Sequence, residues 1–94
     1  MELILEKTER GFSIINFEDR YSNKCSLQES SLASEDAIWF GIDDANPQVD
    51  SGDGWVKYPI PEDVMLHTRM HLTRDQVKDL LPVLQKFVDT GRLS

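Results

Sequence analysis

The segment Met65-Leu66-His67-Thr68-Arg69-Met70-His71-Leu72-Thr73-Arg74-Asp75-Gln76 reads as a strand that runs straight into a helix. Side chains on a strand alternate between two faces. Leu66, Met70 and Leu72 then share one face with Thr68, and His67, Arg69 and His71 share the other. Leu and Met belong against a core, so the His-Arg-His row is left on the opposite side of the sheet. Thr73 and Gln76 have the spacing of a capping box, in which each end of the motif satisfies a backbone N–H of the other. Val77, Leu80, Leu81, Leu84, Phe87 and Val88 follow at helical spacing on one face, and Gly91 supplies a C-cap. Pro82 deletes one helical hydrogen bond, at ~3 kcal/mol in a regular interior. Pro82 should kink the helix, but the apolar face continues past it, which predicts one bent helix rather than two.

Upstream, four stretches carry strand patterns. Glu2 to Glu6 alternates, with Leu3 and Leu5 on one side. Thr8-Glu9-Arg10-Gly11 is a polar turn. Phe12 to Phe17 is rich in aromatic and β-branched residues. Cys25 to Ser30 places Cys25 and Leu27 opposite Ser26, Gln28 and Ser30. Ala37 to Ile42 places Ile38, Phe40 and Ile42 opposite Trp39 and Gly41. A small Gly beside Trp leaves space over the backbone, or marks a bulge. Asp43 to Asp63 reads as loop, with Trp55 to Tyr58 as a short edge strand ended by Pro59 and Pro61. Asp50 to Gly54 is its expected mobile tip.

These patterns predict a single α+β domain over residues 1–94: an antiparallel sheet of four to five strands with the C-terminal helix packed on one face. The expected core face is Leu3, Leu5, Ile14, Cys25, Leu27, Ile38, Phe40, Leu66, Met70 and Leu72. The uncovered face then holds Ser26, Gln28, Ser30, Trp39, His67, Arg69 and His71.

The net charge of −7 argues against direct nucleic-acid binding, which needs a basic stripe. No apolar run approaches the ~18 residues of a membrane span. The first six residues lack the basic start and apolar stretch of a signal peptide. The single Cys25 permits no intramolecular disulfide. Together these predict a cytoplasmic protein with no membrane partner.

No catalytic signature is present: no P-loop, no dinucleotide fingerprint, and no elbow or helix start near Cys25. The expectation is a non-enzyme without a cofactor. His67 and His71 are four apart, but a metal site needs a third ligand. Strand parity places Cys25 in the core, and Asp43 or Asp44 would reach only through the loop, so no metal is expected. Asp50 to Gly54 lacks the spaced ligands of a calcium loop.

Arg69 is the strongest candidate for recognition, because its planar fork matches phosphate or carboxylate oxygens. Trp39 offers a stacking surface for a base. Ser26, Gln28, Ser30, His67 and His71 complete the candidate ligand-binding set, which has the make-up of a nucleotide-sized pocket. The competing reading is a plain exposed sheet face, with Arg69 paired to Glu29 or an Asp.

Cys25 to Ala33, Ala37 to Asp43, and Thr68 to Arg74 also resemble a family of small proteins encoded widely in bacteriophages and prophages. The likeness extends through Asp43-Asp44-Ala45-Asn46-Pro47 and the closing Leu80-Leu81-Pro82. It covers the chain apart from a loop at 48–54 that is short here. The resemblance implies a phage-type protein acting in the host cytoplasm, where small proteins of this size block nucleases or soak up immune nucleotide signals. The leading expectation is a non-catalytic counter-defence protein that sequesters a nucleotide-derived signal, on the open face or between subunits of a homo-oligomer. The rival is an acidic inhibitor, anti-CRISPR-like or a DNA mimic, that docks on a host defence protein or nuclease through Glu35, Asp36, Asp43, Asp44, Asp50 and Asp53. A third reading is a virion or replication accessory protein without a small ligand.

Overall fold

The computed structural model describes all residues from Met1 to Ser94. Five antiparallel strands form the main sheet in the order β1-β2-β3-β4-β7: β1 (Ile4–Lys7), β2 (Ser13–Glu18), β3 (Lys24–Glu29), β4 (Ala37–Ile42) and β7 (Arg69–Thr73). Between β4 and β7 the chain makes a separate hairpin of β5 (Gln48–Asp50) and β6 (Trp55–Lys57). The final helix, α1, spans Arg74–Thr90. The α+β class and the antiparallel sheet are as the sequence predicts.

Tight connections fix the register. Between β1 and β2, Gly11 at φ +88° lets its N–H donate to the Thr8 carbonyl. Between β2 and β3, the Asp19 carboxylate accepts from the N–H groups of Tyr21 and Asn23 and from the Asn23 amide. The Asn23 contacts come first in holding its pKa below the usual carboxylate range. The resulting ladder pairs Ile15 with Leu27 and Phe17 with Cys25, so Ile15 and Phe17 lie on the apolar face. Ile14 pairs with Gln28 and lies on the polar face, contrary to the parity expected for it. Leu3 and Leu66 fall outside the strands and are exposed.

The region around Asp50 is more ordered than a loop. Val49 pairs with Val56, and Ser51 N–H closes the turn onto the Gly54 carbonyl. Gly52 and Gly54 take positive φ, which a tight turn requires.

The helix begins and ends as expected. Thr73 Oγ1 accepts from Gln76 N–H, the Gln76 side chain accepts from Thr73 N–H, and Gly91 closes the C-terminus in the left-handed conformation. Pro82 sits inside one continuous helix. Thr73→Ala should therefore lower stability by ~1 kcal/mol and Thr73→Ser by little, as read from urea midpoints.

The expected packing of that helix across the sheet does not occur within the chain. Within the chain, α1 makes its only substantial contact with β7, and none of its residues is buried. The cause is local. Strand β7 ends at Thr73 and the helix starts at Arg74, whereas a chain reversing from one element onto another generally uses about 2–6 connecting residues. Because β7 is also the edge strand, the helix leaves the sheet instead of turning back over it. Only Cys25 and Ser26 are buried.

Candidate functional site

The polar face of the sheet is built by three rows of side chains crossing the strands. Ser26 of β3, Gly41 of β4 and Arg69 of β7 form one row, because Ser26 pairs with Gly41 and Gly41 with Arg69. Gln28, Trp39 and His71 form the next. Ser30, just beyond β3, and Ala37 lie in the third, joined by the Ser30 N–H to the Ala37 carbonyl.

Gly41 has no side chain to stand between its neighbours, so the Arg69 side chain crosses β4 and reaches β3. Its Nη1 donates to Ser26 Oγ at 3.1 Å and to Gln28 Oε1 at 2.8 Å. Ser26 Oγ in turn donates to Asp43 Oδ1 at 2.5 Å. Asp43 thus balances the guanidinium through a hydroxyl, without direct contact. The space expected over Gly41 is filled by β7 itself: a Cβ on Gly41 would sit 2.6 Å from the Thr68 carbonyl oxygen.

His71 stacks on Trp39, with ring centroids 3.9 Å apart and planes 6° from parallel. Its Nε2 lies 2.8 Å from Ser30 Oγ. The Arg69 guanidinium carbon is 5.9 Å from the Trp39 ring centroid, within cation–π range. Six of the seven residues singled out in the sequence thus form one connected patch. His67 does not join it. It precedes β7, is exposed and makes no hydrogen bond to the patch, so the His-Arg-His row shrinks to Arg69 and His71.

The electrostatics of Arg69 are unusual for a chain this acidic. The one direct ion pair in the protein is Arg74 to Asp36, at 3.3 Å between two exposed side chains. Glu29, weighed above as an Arg69 partner, lies on the apolar face and accepts instead from the Ser13 N–H. That contact holds the Glu29 pKa below the ordinary range. Arg69 spends only Nη1 on the protein; Nε and Nη2 donate to no protein acceptor and are not sealed from solvent. Nε and Nη2 form one edge of the guanidinium, the geometry that takes two oxygens of a phosphate or carboxylate.

Beside Trp39 an open cavity of about 330 Å³ is bounded by Gln28, Ser31 and the β1–β2 turn, including Thr8, Arg10 and Phe12. Arg10 lies over the Phe12 ring at 5.7 Å. Sequence reasoning missed Thr8, Arg10 and Asp43 as neighbours of the patch, because only the strand register carries turn and loop residues there.

Cys25 has the character of a packing residue. Burial comes first in pushing its thiol pKa up, followed by the charges of Asp19 and Asp43, which disfavours the nucleophilic thiolate. No three His, Cys, Asp or Glu side chains converge in metal-binding geometry. The acidic residues are dispersed. Glu35 and Asp36 precede β4, Asp43 and Asp44 follow it, and Asp50 and Asp53 sit at the β5–β6 turn. The six-residue β4 alone separates the first two pairs by about 20 Å. No helix is long and apolar enough to cross a membrane. No protein-family model, curated protein or solved structure matches this chain.

Proposed function

We propose that this chain is a non-catalytic binding protein that sequesters a nucleotide-derived ligand on the polar face of its sheet. The observation that carries the reading is the free Nε–Nη2 edge of Arg69, held by two neutral acceptors beside the Trp39–His71 stack. A guanidinium already fixed by the protein loses little freedom when it meets a phosphate. The neighbouring aromatic pair offers apolar surface for a base, and Ser30 and Gln28 offer polar atoms at its margin. Ser30 Oγ does meet His71 Nε2, but no carboxylate orients that imidazole, so the patch lacks the third member of a nucleophile–base relay, which favours capture over turnover. The resemblance to phage-encoded proteins gives the reading its setting, in which a captured immune signal is withheld from a host defence.

Isothermal titration with cyclic nucleotides and ADP-ribose derivatives tests it. Arg69→Ala should weaken binding at least about 100-fold, the low end of what losing two charge-assisted hydrogen bonds implies. Arg69→Lys should recover only part of that, because an ammonium cannot make the forked contact. Mass spectrometry of the released ligand should return it unchanged. Binding indifferent to Arg69→Ala would remove the basis of the proposal, and a chemically altered ligand would make the protein an enzyme.

A further inference from the structure

The protomer has two apolar surfaces that do not cover each other. One is the sheet face carrying Ile15, Phe17, Leu27, Phe40 and Met70; the other is the α1 stripe of Leu81, Leu84, Phe87 and Val88. Met70 on the sheet is 57% exposed, and Phe87 and Val88 on the helix 53% and 76%, values suited to isolated surface residues rather than to contiguous apolar faces. The two surfaces diverge from the β7–α1 junction. Between them lies an open groove of about 770 Å³, with Ile38 and Leu72 on the sheet side and Val77 and Leu81 on the helix side.

The dimensions agree. The chain exposes 8190 Å², whereas a folded monomer of 10.8 kDa exposes about 5,500 Å². Its radius of gyration is 16.4 Å, against about 12.4 Å for a compact domain of this length. The excess of about 2,700 Å² per chain, about 5,400 Å² for two copies, lies at the upper end of what obligate dimers bury in total. With two buried residues in the whole chain, an isolated protomer has almost no fully enclosed core to set against the entropy of ordering its backbone.

We infer that the occupant of the groove is a second copy of this chain, with each α1 lying across the apolar sheet face of the other protomer about a two-fold axis. A second copy is favoured because each protomer carries both halves of the contact, a helix stripe and a sheet face. The lack of any linker between β7 and α1 keeps the protomer from joining its own halves. The exchange closes after two copies, because both unpartnered surfaces of each are then used. It leaves Arg69 and Trp39 outward on the polar face, and the groove shares only Ser30 with the ligand patch, so the two proposals are tested separately.

Sedimentation equilibrium and isotope-filtered NMR on the full chain test the inference. The expected mass is about twice the 10.8 kDa of the chain. A sample mixing labelled and unlabelled protein should show contacts between Phe87 or Leu84 of one copy and Met70 or Phe40 of the other. The double variant Leu84→Asp with Phe87→Asp should sediment as a monomer or fail to accumulate as folded protein. A monomeric wild type overturns the inference. So does an assembly larger than two, or one whose inter-chain contacts run only from helix to helix. Wild type alone decides these points, so a misfolded variant leaves the test intact.

Discussion

Gly41→Ala should be among the most damaging single-methyl additions to this protein. The new Cβ would lie 2.6 Å from the Thr68 carbonyl oxygen and 3.0 Å from the Arg69 Cα. Both are backbone groups of the paired strand, so neither can swing aside as a flexible side chain could. The Gly41 φ of +153° adds strain for any residue with a side chain. The loss should reach about 3 kcal/mol or more, combining backbone strain with displacement of β7. Gly11→Ala is the control. It also has positive φ, at +88°, but nothing lies within 4 Å of its Cβ, so only the conformational cost of about 1–2 kcal/mol applies. Urea midpoints of the two variants should separate clearly. Equal losses would mean that the close approach of β4 and β7 is not what holds Gly41 in place. Because Arg69 crosses over this glycine, Gly41→Ala should also weaken any ligand binding that depends on Arg69.

The role of Gly41 shows where sequence reading reached its limit. Alternation along Ala37 to Ile42 correctly placed Trp39 and Gly41 together on the polar face. It could not show that β7 fills the space above the glycine, because that depends on the Gly41 to Arg69 pairing. Alternation also grouped Ser26, Gln28, Trp39, Arg69 and His71 on one face, because each lies within a regular strand, Arg69 as the first residue of β7. It failed for His67, which lies before β7 begins, since composition does not mark that boundary. It failed for Ile14 because two consecutive isoleucines fit either parity, and the Ile15 to Leu27 pairing chose between them. The helix was legible from its caps and its stripe. Its partner was not: a hydrophobic stripe requires a cover and says nothing of which chain supplies it. The signal that could have changed the expectation was in the segment first singled out. With no residue between strand and helix, that segment leaves no room for the reversal that packing across its own sheet would need.

Leu81→Ala and Leu84→Ala carry that point to a measurement. In the protomer these side chains are 62% and 51% exposed, and truncating surface residues usually changes stability by less than about 0.5 kcal/mol. Buried beneath a second copy, each truncation should cost about 2–4 kcal/mol. The inferred exchange therefore predicts large losses at two residues that look like surface in the isolated chain. It also predicts how the losses vary. Dimerisation couples folding to protein concentration, so the wild-type urea midpoint should rise as the protein is concentrated. The alanine variants should unfold at lower urea and recover part of the deficit at higher concentration. Large losses with a midpoint independent of concentration would place each helix on its own sheet, reached through a rearranged β7–α1 junction. Losses under about 0.5 kcal/mol at both leucines would leave the stripe uncovered, and would remove the exchange with it.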